Sequence, residues 1–534
     1  MNFELTTIDI VVIVSYLVAT IAIALWVSRK TAQDSEGYFL GGRSFTWPLV
    51  GLSLYASNIS GTSFVGFAAA GYREGVPAFN YEWTAAFIII FFVFFIYPFY
   101  MRSDVSTYMR SDVSTVPEFL EKRYDQRTRR TFSGFNILAN LFLDSAGGLF
   151  AGAVVVQVVY PDVPIWISVA VFALLAGAYT IVGGLAAVIV TDAIQAITLI
   201  IGGTLVAVLA FEAAGSWSAV VEAAPPDAFT IIRPASDDVM PWPGLFTGVF
   251  LIYTYYFGLN QMVVQRTLAA KTPDHGRWGA LFAGAIKLPN LLIMLVPGII
   301  ALKLYPDIDP NDAFPTLVFD LVPVGLRGLV IAALLAAIIS SIDSVLNSVS
   351  TLATLDFIRP MKPNLSERAV VNIGRLVTVG FMIGAWALAV SIVGLFPTLF
   401  DYLQSFLAYV TPPVLVVFLG GIFWKGGRSN GAFWTLVIGL PIGLLGWIVF
   451  QILAPGSGIQ FLYACGVLVL LNLALFVTLS LGSDEDRDVS SLVWTRAFWD
   501  AESESLAGMP WYRNYRYLSI GLAILTLLFV IPLL

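Results

Sequence analysis

Leu334-Leu335-Ala336-Ala337-Ile338-Ile339-Ser340-Ser341-Ile342-Asp343-Ser344-Val345-Leu346-Asn347-Ser348 passes from an apolar run directly into hydroxyls, an amide and a carboxylate. The first part suits the middle of a bilayer. The second does not: polar groups at that depth cost a few kcal/mol unless they face water, protein or an ion. Hydroxyl and carboxylate oxygens are hard ligands, so a desolvated alkali cation is one thing that makes them tolerable.

The rest of the chain agrees with a membrane setting. It has 534 residues, 58% hydrophobic and 12% charged, and a mean hydropathy of +0.84, outside the soluble globular range. Apolar runs long enough to cross about 30 Å of hydrocarbon recur from end to end. The pattern predicts an all-α membrane protein with 14 transmembrane helices, near 8–28, 46–72, 78–100, 132–158, 163–182, 184–211, 243–265, 277–303, 325–354, 370–394, 398–423, 430–453, 458–481 and 515–533. The first run is too long for a cleavable signal and lacks a basic leader, so it reads as a retained anchor.

Loop charge predicts the orientation. With the N-terminus outside, 23 of the 28 Lys and Arg fall in inner loops, as the positive-inside rule requires, and both termini lie outside a cell membrane. The net charge of −7 comes from acidic loops and implies no nucleic-acid partner. One Cys and one His exclude a disulfide framework and a thiolate metal site, and leave little from which to build an enzyme. The inner segment 483–513 is too short for the output domain of a sensor. Tyr100–Thr107 recurs unchanged as Tyr108–Thr115, the mark of a local duplication.

Two further helices carry interruptions. Six of the ten residues from Ser53 to Thr62 are Ser, Thr, Asn or Gly, which compete with the helical backbone or weaken it. Tyr253-Thr254-Tyr255-Tyr256-Phe257-Gly258-Leu259-Asn260-Gln261 is a parallel disturbance five helices later. Paired broken helices point to a carrier built from inverted repeats with its site at the midplane. The alternative is that small residues only let helices pack closely. Glu82, Asp192, Lys287 and Asp343 lie well inside predicted helices, and Asp144 is a fifth candidate. Lone ionisable groups at such depth are functional candidates, although Lys287 could instead be a structural partner for Glu82. A carboxylate, an ammonium, the amide of Gln404 and nearby tyrosines together suit a neutral polyhydroxylated ligand.

These residues also carry a family resemblance. Tyr38–Ser44, Leu52–Ser60, Tyr81-Glu82-Trp83, Val116–Phe119, Gly183–Asp192, Asn260–Lys271, the Ser340-Ser341 stretch and Phe400–Ser405 are similar to a sodium/solute symporter of the sodium–glucose cotransporter family. The resemblance covers nearly the whole chain. It implies a leucine-transporter-type fold with two inverted five-helix repeats at 46–211 and 243–423. The remainder would be an extra helix and inner loop at 1–45, an outer loop at 212–242, and three C-terminal helices at 424–534. It places sodium on the carbonyls of Ala56, Ile59 and Ala337 and the hydroxyls of Ser340 and Ser341. Solute contacts would fall on Asn58, Ser63, Glu82, Tyr256, Lys287 and Gln404, with gates at Tyr81 and Phe400 outside and Tyr256 inside. Asp192 and Asp343 fall near where some relatives hold a second cation; the alternative is a hydrogen-bonded structural network.

The chain departs from sugar carriers of that family in having Ser63 where they place His or Gln, Tyr253 where a small polar residue is frequent, and Phe257 where Trp is common. The expected function is sodium-coupled import of a small solute, a hexose-type sugar, by alternating access. The rivals are the same sodium symport with a monocarboxylate, sialic acid, myo-inositol, proline or a vitamin, and, more remotely, a membrane sensor or channel. The oligomeric state is not legible.

Overall fold

The computed structural model describes residues 4–29, 31–59, 61–101, 113–160, 162–391, 399–454, 457–483 and 488–534. Among them the chain is all-helical, with no strand. The duplicated segment lies almost wholly outside these residues.

Among the described residues nine helices are long and apolar enough to cross a membrane, ten if the pair Leu403–Val410 and Pro412–Phe423, bent by 52°, counts as one. Helix length and composition therefore do not establish the expected 14, and the shortfall has physical causes. The 46–72 run forms two helices, Trp47–Asn58 and Gly61–Glu74, with extended backbone at Ile59 (φ −91°, ψ 95°). The 243–265 run is divided between Phe250–Gly258 and Gln261–Leu268, where Asn260 leaves the helix and caps the second piece through the Met262 N–H. The 132–158 run is helical as well, through a π-turn at Asn140–Ser145, and is not among the nine. The 163–182 and 184–211 runs are joined in one 50-residue element, interrupted at Gly184 (φ 56°, ψ −150°). A straight helix of that length would span about 75 Å, more than twice the hydrocarbon thickness. Only glycine fits at that bend, because a Cβ there would lie 2.2 Å from the Tyr38 carbonyl oxygen in a left-handed conformation.

The helix Leu326–Leu352, which holds the opening stretch, is the centre of the bundle; its apolar window is 89% buried, against 11% for the N-terminal helix Thr7–Ser28. It packs most extensively against the 165–214 element, and also against the N-terminal helix. Asp9 of that N-terminal helix accepts hydrogen bonds from the N–H groups of Gly325 (2.8 Å) and Gly328 (3.0 Å). A carboxylate is thereby placed against the positive end of the central helix. At the opposite end, the short helix Arg496–Ser505 docks under the bundle through Glu502, which meets Arg277 at 2.5 Å, Tyr515 at 2.8 Å and Arg516 at 3.2 Å.

Candidate functional site

Both interrupted helices border one cavity of about 950 Å³, counting its solvent-open part. Its wall includes Asn58 and Ser63 on either side of the first break, and Tyr253, Tyr256 and Asn260 before and at the second. Glu82 and Gln404 complete the polar wall, and Phe67, Leu403 and Leu407 supply apolar surface. Five of the six expected solute contacts therefore share one space. The sixth, Lys287, reaches it through its partners. Its ammonium lies 3.0 Å from the Glu82 carboxylate and also donates to Asn58 Oδ1. Asn290 donates to the other Glu82 oxygen at 2.6 Å and accepts from the Tyr55 hydroxyl at 2.8 Å.

The pairing anticipated as a structural alternative is thus present, and it occurs inside the cavity wall. A buried pair with all its remaining polar atoms satisfied is neutral overall and rigid. The Gln404 side-chain oxygen is buried and has no hydrogen-bond partner among the described residues, so it is available to a ligand donor.

Of the expected gate residues, Tyr256 borders the cavity. Tyr81 is one ring removed, edge-on to Tyr253 with centroids 5.8 Å apart. The Phe400 side chain lies outside the described residues.

On the central helix, Ser341 reaches the same cavity and donates to the Ala337 carbonyl at 3.1 Å. Ser340, about 100° round the helix, donates to Asp192 Oδ1 at 2.5 Å. Ala56, Ile59 and Ala337 are all buried, and the chain leaves the helix at Ile59. The first break and the hydroxyls thus meet where backbone can line a cavity.

Asp192 is more crowded than its sequence suggests. Its second oxygen accepts from Ser53 (2.5 Å) and Ser57 (3.2 Å), and the Arg266 guanidinium stands 3.4 Å away. Arg266 also donates to Ser53 at 3.3 Å and to Ser344. Arg266, one of the 23 cations that loop charge assigns to the inner loops, is fully buried instead. Asp343 accepts from Tyr179 and from Ser344 at 3.2 Å. The two carboxylates are linked through Ser57 and Ser344, whose hydroxyls are 3.2 Å apart.

Asn290, Tyr55, Ser53 and Arg266 were not anticipated in the site. The only sequence signal for Arg266 is its place six residues past Asn260 at the second break; Tyr55 and Asn290 gave none.

The sodium:solute symporter family model matches residues 38–439. Sodium/glucose cotransporter 4 of Danio rerio is 32% identical over 93% of this chain and 82% of its own length. Sodium/myo-inositol cotransporter 2 of Sus scrofa is 34% identical over 82% of this chain and 69% of its own length. Among solved structures, the substrate-bound outward-open state of a Na+-coupled sialic acid symporter superposes with a TM-score of 0.78. It covers 91% of this chain and all of the other, at 20% identity, and so shares the leucine-transporter-type fold. With its paired helix breaks around one cavity, this chain belongs to the sodium:solute symporter family and is a multi-pass membrane protein that couples solute movement to sodium.

Proposed function

We propose that the solute is a neutral polyol of the hexose or inositol class. The observation that carries this reading is the Lys287–Glu82 pair. An anionic solute such as a monocarboxylate or sialic acid would need an unpaired cation, and the one ammonium at the cavity is already neutralised. It would also face the carboxylate of Asp144, which borders the same space. A neutral polyol instead donates to Glu82 and Gln404, accepts from Lys287 and Asn58, and packs a ring face on Tyr256. The glucose and myo-inositol cotransporters among the relatives support the same class.

Sodium is assigned to the carbonyls of Ala56, Ile59 and Ala337 with Ser340 and Ser341, and the repeats to 46–211 and 243–423. Binding of sodium orders the first break and favours the outward-open state; solute follows, the Tyr81 and Phe400 side closes, and the Tyr256 side opens. Coupling requires that sodium bind one state better than the other. One sodium moving down 100 mV supplies about 2.3 kcal/mol, roughly fiftyfold accumulation. The positive charge beside Asp192 is supplied by Arg266, which favours one sodium per solute over a second cation at Asp192 and Asp343. Both termini are assigned to the outside of a cell membrane.

The test is uptake of labelled D-glucose and myo-inositol by proteoliposomes, with and without an inward sodium gradient. Uptake of either should rise with the gradient and be unaffected by excess lactate or sialic acid. Competition by those anions, with no polyol uptake, would overturn the solute class.

A further inference from the structure

We infer that sodium leaves toward the inner side along a polar seam between the 126–159 element and the central helix, separate from the solute's exit past Tyr256. The inference rests on the placement of sodium at Ser340 and Ser341 proposed above.

Asn136, Asn140 and Asp144 follow one another at intervals of four residues, so they share a face through the π-turn at Asn140–Ser145. Asp144 borders the same cavity as Ser341. One turn farther from it, Asn140 Nδ2 donates to the Ser348 hydroxyl at 3.4 Å. Ser348 is seven residues past Ser341, about 10 Å along the helix and roughly 20° around it, so both hydroxyls face the same way. The seam thus starts at the proposed ion site and runs inward. At its far end Ser133 and Arg129 meet Asp356, the latter at 2.5 Å.

The seam is buried but unsatisfied. Asn136 and Asn140 are 0% and 1% exposed. Neither side-chain atom of Asn136 has a hydrogen-bond partner among the described residues, nor does Asn140 Oδ1. Buried amide groups in this state cost about 1–3 kcal/mol each, so a packing role alone would not select them. Amide oxygens are good transient ligands for a sodium ion carrying water.

Charge selects this flank over the other. On the Ser344 side the two carboxylates are already engaged, Asp192 by Arg266 and Asp343 by Tyr179 and Ser344. On the 126–159 side the first charge a leaving cation meets is the Asp144 carboxylate, which has no ion-pair partner among the described residues. The step that empties the ion site is therefore drawn toward Asp144, the carboxylate that no cation among the described residues engages.

Asn136→Leu and Asn140→Leu would fill the seam with hydrocarbon without touching the ion site. In the full-length chain, sodium should still raise Tm over potassium as in the parent. Exchange of labelled D-glucose or myo-inositol, whichever the parent carries, needs no sodium release at equal saturating sodium on both sides and should be retained. Net uptake into sodium-free vesicles should fall about tenfold, and Asn140→Ser should restore it. Unchanged net uptake, or exchange and net uptake falling by the same factor, would overturn the route. Should the leucine variants fail to fold, Asn140→Cys reads the same seam against a background in which the native Cys465 is buried. A small cationic thiol reagent applied from the inner side should modify it, more slowly with sodium; a thiol inert in every condition overturns the route. Ser341→Ala reads the ion site separately: a sodium concentration for half-maximal stabilisation unchanged from the parent would overturn the placement of sodium, whatever the seam variants do.

Discussion

Lys287 and Glu82 form a buried ion pair at 3.0 Å, although 205 residues separate them. Breaking such a pair from one side leaves an uncompensated charge and costs about 3–5 kcal/mol. Lys287→Ala should therefore lower Tm by several degrees as well as abolish uptake. The double variant Lys287→Met with Glu82→Gln should recover much of the stability and none of the transport. Melting curves and proteoliposome uptake on the same preparations separate the two effects; a parent-like Tm for Lys287→Ala would show that the pair is not formed.

Ser341 and Ser340 should differ in a graded way. Ser341→Ala removes one hydroxyl ligand, and a polar contact to a charge is worth about 1.5–3 kcal/mol. The sodium concentration giving half-maximal uptake should rise at least about tenfold. Ser340→Ala should cost more, because it also strips a 2.5 Å hydrogen bond from Asp192. Equal sodium dependence in the parent and both variants would remove the serines from the ion site.

Asp192→Asn should act through Arg266, whose guanidinium has no exposure and stands 3.4 Å from that carboxylate. A buried arginine left without its anion predicts a loss of about 3–5 kcal/mol, read as a depressed Tm in sodium and potassium alike. Arg266→Lys should rescue little, because an ammonium cannot reproduce the forked contacts to Asp192, Ser53 and Ser344. A parent-like Tm that no longer responds to sodium would instead assign a cation to Asp192.

Glu502 predicts an acid limb. Burial alone would raise its carboxyl pKa, but Arg277, with Tyr515 and Arg516, holds it below the ordinary glutamate range. A lowered folded-state pKa contributes stability that is present above the unfolded value, near 4.3, and is lost as pH falls through the folded one. Glu502→Gln should thus lower Tm at pH 7, and the gap to the parent should narrow below about pH 4. A gap that does not change between pH 7 and pH 3 would exclude the charge as its cause.

Both helix breaks were legible because the residues that weaken a helix act locally: Ser57, Asn58 and Gly61 at one, Gly258 and Asn260 at the other. The bend at Gly184 was placed between two apolar runs, but its cause, the Tyr38 carbonyl where a Cβ would stand, comes from a residue far away in the chain. Arg266 was misjudged for the same reason. Next to Lys271 and Arg277 it looks like a loop cation, and only the approach of Asp192 and Ser344 turns it into a buried one.

The sequence by itself determined that this chain lives in a bilayer, that it is helical, and which few polar residues could not be there for packing alone. Hydrocarbon penalises each unpaired polar group on its own, so misplaced Glu82, Lys287 and Ser340 stand out without any knowledge of their neighbours. Only the tertiary structure decided how those groups are satisfied: Glu82 by Lys287 and Asn290, Asp192 by Ser340 and Arg266, and Asn136 by no residue described. Partnership depends on how closely and at what rotation distant helices meet, and residue type and spacing along one helix carry no record of that.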